Sequence, residues 1–112
     1  MKIKPGAHAP VLHPAIHMAC DIADGIWQTL YAEHATVTSL HDSTHSRFSL
    51  HYGSFGDIRC RAVDLRIKNL SPVQTVRVFT ELKRLLGDAF DVVLETDHIH
   101  IEYDPAWPTD EA

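Results

Sequence analysis

Residues 59–87, RCRAVDLRIKNLSPVQTVRVFTELKRLLG, contain the two patterns that decide the fold. The first part alternates between apolar and polar residues, so that Val63, Leu65 and Ile67 share one face of a half-buried strand. The second part has helical spacing and begins with a typical Ser-Pro start at Ser71. A strand followed closely by an amphipathic helix favours a domain in which helices cover one face of a sheet.

The helical part of this stretch has clear start and stop signals. Ser71 can be the N-cap, Pro72 suits the first helical position, and Gln74 completes a capping box. Gly87 is placed to end the helix, because glycine readily adopts the backbone conformation that follows a last turn. The predicted apolar stripe consists of Val73, Val76, Phe79, Leu82, Leu85 and Leu86.

The same periodicities predict the other elements. A first helix is predicted over 14–34, and residues 1–13, with two prolines and a glycine, predict an extended N-terminal arm. The apolar positions of the first helix are Ile16, Ala19, Cys20, Ala23, Trp27 and Leu30. Further strands are predicted at 35–40, 90–95 and 98–103. We therefore expect one α+β domain over 1–112, a small, mostly antiparallel sheet with helices packed on one face.

Composition restricts the classes of function. The chain has 112 residues, 45% of them hydrophobic, which suits one domain with one core. Its net charge is -5 and it has no basic block, so we expect no nucleic-acid partner. No apolar run is long enough for a signal peptide or a membrane span, which predicts a protein made in the cytoplasm and not inserted in a membrane. Oligomeric state stays open, as does a disulfide between Cys20 and Cys60.

Histidine is abundant, with nine residues, and two of them lie in ETDHIHIEYDP, residues 95–105. Strand alternation puts His98, His100 and Glu102 on one face. Asp64 occupies the polar face of the alternating strand described above. Because unpaired charge is costly on a buried face, each polar face is either simply solvated or part of a site.

Histidines and carboxylates from different elements are the ligands of catalytic zinc, which commonly takes three of them and keeps one position for water. Further histidines lie upstream in HDSTHSRFSLHYG, residues 41–53. A nearby carboxylate can accept a proton from the water and return it to the leaving amine. Asp97, three residues before His100, and Glu95, three before His98, are the candidates for this base.

Three segments, SLHYG, RAVDLR and DHIHIE, together resemble the motifs of the zinc D-Ala-D-Ala carboxypeptidases and phage endolysin L-Ala-D-Glu peptidases, whose fold the hedgehog signalling domain shares. That family's first motif is Ser-x-His-x-x-Gly-x-Ala-x-Asp, and its second has an acid three residues before a ligand histidine. The match extends from about Thr38 to about Asp104. It implies a hedgehog-like fold, one Zn²⁺ per chain, and hydrolysis of peptidoglycan peptide bonds by a metal-activated water.

The resemblance implies His51, Asp64 and His100 as the zinc ligands. Ser49 matches the motif serine and is expected to hydrogen-bond near the site. The chain departs from the family in one spacing, because His51 and Asp64 are thirteen residues apart where the family has seven. An insertion in the loop GSFGDIRC accounts for this, since loops tolerate added length at little entropic cost. His45 is the alternative ligand.

The resemblance also implies roles for the remaining polar residues. Asp97 would be the general base, with Glu95 as the alternative, and His98 would stabilise the oxyanion or position the water. Arg66 either holds a substrate carboxylate bidentately or pairs with Glu102.

Two other functions are compatible with the same residues. The first is a non-catalytic metal-binding or interaction module on the same fold, and the second is a phage structural protein in which the site is incidental. A peptidase of this type would have a peptidoglycan peptide as its partner. It would reach the cell wall or periplasm by release during phage or prophage lysis, or as part of a phage tail.

Overall fold

The computed structural model describes residues 1–7, 12–42 and 60–105. Its elements in chain order are β1 (Lys2–Ile3), α1 (Pro14–Tyr31), β2 (Thr36–Asp42), β3 (Cys60–Arg66), α2 (Pro72–Leu86), β4 (Phe90–Leu94) and β5 (His98–Tyr103). The strands form one sheet in the order β1-β2-β3-β5-β4, in which β1 and β2 are parallel and the other neighbours are antiparallel. The predicted α+β class is therefore confirmed.

Helix α2 begins as its sequence predicts. The Ser71 hydroxyl accepts a hydrogen bond from the Gln74 backbone N–H at 3.1 Å. The Gln74 side-chain oxygen in turn accepts one from the Ser71 N–H at 2.8 Å, which completes the capping box. At the other end the helix stops before Gly87, whose φ of 75° lies in the region that favours glycine.

Replacing Ser71 with alanine is expected to lower the free energy of unfolding by about 1 kcal/mol, because the Gln74 N–H then loses its partner. Urea denaturation followed by circular dichroism measures this change. Thr80→Ala, an exposed substitution within α2, is the matched control and should not lower stability, because alanine has the higher helix propensity. Equal effects of the two substitutions would contradict the capping role.

The face that α2 buries differs from the predicted stripe. Its buried residues are Thr75, Val78, Leu82 and Leu86. The prediction was correct for Leu82 and Leu86 but wrong for Val73, Val76 and Leu85, which are 78%, 57% and 46% exposed. Apolar residues cover more than one face of this helix, and the buried face that contains Val78 is the one that packs against α1 and β4.

Helix α1 buries five residues, Ile16, Ala19, Ala23, Ile26 and Trp27. Four of these were predicted, and the helix ends at Tyr31 rather than at His34. Ala32 adopts a left-handed conformation with φ 55°, and its N–H donates to the Gln28 carbonyl at 3.0 Å, which closes the last turn. No glycine follows Tyr31 to mark the end of the helix, so the prediction from helical spacing continued too far, to His34.

The first residues of the predicted extended arm join the sheet. The N–H groups of Lys2 and Lys4 donate to the carbonyls of Ala35 and Val37, each at 2.8 Å, so that β1 runs parallel to β2. This pairing fixes Lys4 at the edge of the sheet, where its side chain becomes part of the surface described below.

The two faces of the sheet are chemically different. Both helices pack on one face, where the buried sheet residues are Val37, Val63, Leu65, Phe90, Val92, Ile99 and Ile101. The opposite face carries the polar positions of β3 and β5. Cys20 and Cys60 are both free thiols. In the part of the chain that the structure describes, neither helix is long and apolar enough to cross a membrane.

Candidate metal site on the polar face of the sheet

Strands β3 and β5 bring the polar residues of the two alternating segments together. In the antiparallel register, Asp64 is opposite His100 and Arg66 is opposite His98. Residues directly opposite on adjacent strands have neighbouring side chains on the same face. The predicted polar faces therefore form one continuous surface.

At the centre of this surface, His100 lies between two carboxylates. Its Nδ1 is 2.7 Å from Asp64 Oδ1, and its Nε2 is 3.3 Å from Glu102 Oε1. Asp64 is only 9% exposed, so its contact with His100 is partly shielded from water. Since a carboxylate oxygen accepts, each ring nitrogen donates when it carries a proton.

The two carboxylates change the protonation of His100. Hydrogen bonding to Asp64, followed by that to Glu102, raises the pKa of His100 to about 9, against the opposing effect of burial. Without a metal, the ring is therefore an imidazolium at neutral pH, held between two negative charges. The negative charges of Asp64 and Glu102 hold this proton on His100. The same charges would favour a metal cation in its place.

A second histidine and acid lie beside this pair. His98 Nδ1 is 2.7 Å from Asp97 Oδ1, and His98 Nε2 is 3.7 Å from Asp64 Oδ1. The hydrogen bond from His98 lowers the pKa of the Asp97 carboxyl, which is 81% exposed and therefore ionised at neutral pH. His98 therefore lies between the exposed Asp97 and the partly buried Asp64.

An open cavity of about 350 Å³ gives access to this group. Its lining residues are Lys4, Thr38, Asp64, Arg66, Lys68, Asp97 and His98. Glu95 lines a different cavity, between the β4–β5 turn and the start of α2. Of the two acids considered as the base, Asp97 is therefore the one that shares a cavity with Asp64.

Arg66 does not pair with Glu102, so that alternative was wrong. In the register of β3 and β5, Arg66 is opposite His98, whereas Glu102 is opposite Ala62 at the other end of the ladder. Arg66 instead lines the cavity beside Asp64.

Three predicted site residues, Ser49, His51 and His45, lie outside the described residues. Within the described ranges, no three His, Cys, Asp or Glu side chains are grouped so as to hold a metal ion. Asp64 and His100 nevertheless supply one oxygen and one nitrogen donor on neighbouring strands, which are the donor types that zinc takes. In the described residues these two donors are hydrogen-bonded to each other, and a metal site would need at least one further ligand.

The structure also reveals contributors that the sequence did not single out. Glu102, to which the sequence analysis gave no part in holding a metal, contacts the second ring nitrogen of His100. Its position two residues after His100 on the same strand face was the available signal. Lys4 and Lys68 reach the cavity from segments distant in sequence from Asp97 and His98, and no local pattern predicts this.

No protein-family model, curated protein or solved structure matches the chain. The resemblance to the zinc peptidases therefore rests on the sequence motifs alone.

Proposed function

We propose that the protein is a zinc-dependent peptidase that hydrolyses peptide bonds of peptidoglycan, of the D-Ala-D-Ala carboxypeptidase or L-Ala-D-Glu endopeptidase type. The observation that carries this proposal is the contact between Asp64 and His100, 2.7 Å apart on neighbouring strands. His98 and Asp97 adjoin that contact in the order that the family's second motif requires.

Asp64 and His100 are the proposed zinc ligands from the sheet, and His51 is the proposed third ligand, with His45 as the alternative. Glu102 is suited to orient His100, because a carboxylate that accepts from the other ring nitrogen fixes the tautomer and direction of a ligand histidine. When bound, zinc would polarise the scissile carbonyl and lower the pKa of a water molecule.

Asp97 and His98 are the proposed catalytic residues. Asp97 is ionised and opens to the cavity, so it can accept a proton from the attacking water and return it to the leaving amine. His98 donates to Asp97 through Nδ1. Its Nε2 lies 3.7 Å from Asp64 Oδ1, beside the proposed ligands, where His98 is proposed to position the water or contact the developing oxyanion.

The test combines metal analysis with digestion of purified muropeptides. Protein purified without a polyhistidine tag is expected to contain about one zinc per chain. Wild type should release new amino groups, and Asp97→Asn should release them at least ~100-fold more slowly, because proton transfer contributes about that factor or more. Asp88→Asn, an exposed acid after α2, is the matched control and should be as active as wild type.

Equal rates for wild type and Asp97→Asn would contradict the assigned base. If no divalent ion supports release by the wild type, the peptidase proposal fails. One zinc per chain without any hydrolysis would then favour the non-catalytic metal-binding module.

A further inference from the structure

Helices α1 and α2 leave a groove between them on the surface of the helical layer. Its volume is about 370 Å³, and its apolar lining consists of Ile22, Ile26, Leu30 and Leu85. Leu85 is 46% exposed, and Met18, one turn before Ile22, is 48% exposed. Because apolar side chains are costly to leave in water, an apolar groove between two helices is a typical docking place for a further helix.

Gly25 lines this groove from within α1. A glycine inside a helix costs about 1 kcal/mol of stability relative to alanine. The packing of the chain itself does not require it, since a Cβ at position 25 would meet no atom within 4 Å. A glycine on a helix surface allows another backbone to approach closely. The absence of a side chain at this position is therefore explained if another helix crosses α1 at Gly25.

The two ends of the groove carry opposite charges. The helices run antiparallel, because α1 begins beside Cys60 at the start of β3, whereas α2 begins after the end of β3. The exposed Asp21 therefore lies toward one end of the groove and the exposed Arg77 toward the other. Between them, Glu81 is paired with Arg84 at 2.7 Å. The groove thus has an acidic end and a basic end.

A second copy of the chain matches this distribution of charge. In a two-fold symmetric dimer the same surface of each protomer forms the interface, so that residue i contacts j and j contacts i. With the axis beside Gly25 and the two grooves antiparallel, the Asp21 end of each protomer meets the Arg77 end of the other. The two α1 helices then cross where neither has a side chain. Because the groove is complementary in charge to itself, a second copy is favoured over an unrelated helix.

We propose that the protein forms a symmetric dimer through the groove between α1 and α2, with Gly25 at the crossing point and Asp21 paired with Arg77 of the partner subunit. The dimer covers the exposed Met18 and Leu85 of both protomers. The polar face of the sheet lies on the opposite side and stays open, so association and zinc binding are expected to be independent. The inference goes beyond the proposed function and does not rest on it.

Sedimentation equilibrium over a wide range of protein concentrations tests the dimer. Wild type should show a monomer–dimer equilibrium. Gly25→Leu should weaken association at least ~10-fold, because the added side chain overpacks the crossing in both protomers. The same substitution should raise the stability of the monomer in urea, since leucine has the higher helix propensity and position 25 is open. His17→Leu, at an exposed position of α1 outside the groove, is the matched control and should associate like wild type.

A charge reversal tests the pairing of the two ends. Asp21→Arg should weaken association, because it places like charges together twice in the dimer. Adding Arg77→Asp should restore association by reversing both partners, a recovery that a loss of folding would not show. A monomer at every concentration would overturn the dimer and leave the groove to a different helix. A dimer of unchanged affinity in Gly25→Leu would place the interface elsewhere, and absence of recovery in the double variant would overturn the Asp21–Arg77 pairing.

Discussion

Replacing Asp64 with asparagine is expected to lower the affinity for zinc by more than ~100-fold and to abolish muropeptide hydrolysis. Asparagine keeps the size of the side chain but removes the anionic oxygen that lies 2.7 Å from His100 Nδ1. Loss of a residue that only orients a metal ligand costs about 10- to 100-fold in metal affinity, so loss of a ligand should exceed that range. Titration with zinc against a competing chelator measures the affinity directly.

The control for this prediction is Asp21→Asn, the same chemical change at an exposed position of α1, which packs on the other face of the sheet. It should leave zinc stoichiometry and hydrolysis at wild-type values. His100→Gln should reproduce the defect of Asp64→Asn, because the two side chains are proposed to hold the same ion. Unchanged zinc affinity in Asp64→Asn would remove Asp64 from the proposed ligand set.

Metal-free protein is expected to become less stable as pH rises from about 6.5 to about 9. The pKa of His100 is raised to about 9 in the folded state from an ordinary value of 6.5, chiefly by Asp64. Because the folded state holds this proton more tightly, the stabilisation is fully present below 6.5 and is lost as pH rises through 9. That difference in pKa corresponds to about 3 kcal/mol at most.

Urea denaturation at a series of pH values, with a chelator present, measures this slope. His100→Gln should flatten it, whereas His17→Gln, an exposed histidine of α1, should retain it. With saturating zinc, the stability of the wild type should instead rise with pH. Zinc binds the neutral His100 ring, and fewer protons compete with it at high pH. The same slope in wild type and His100→Gln would show that another group is responsible.

The elements with strong local signals were predictable from the sequence. Alternation located β3 and β5, and the Ser71 capping box located the start of α2. Strand β1 was not predictable, because two residues have no periodicity and their pairing depends on the free edge of β2. The buried face of α2 also required the tertiary structure, since Val76 and Val78 are equally apolar and point in different directions.

The candidate site was predictable only in part. Alternation placed Asp64 on a polar face, and His98 and His100 on another. Whether the two faces meet depends on the strand order, because the β4–β5 pair can join the rest of the sheet through either of its strands. Here β5 is the strand that pairs with β3, and this long-range choice puts His100 opposite Asp64.

The central location of β3 and β5 has a consequence for how such a protein can diversify. Each strand is hydrogen-bonded on both sides, so the Asp64–His100 pair belongs to the part of the sheet that is hardest to distort. Segments that enter and leave the sheet can then vary in length or donate different side chains without displacing this pair. If the proposed metal site is correct, it combines a constant Asp64–His100 pair with a third ligand from a segment that can change, and a new metal preference or substrate would arise through that segment.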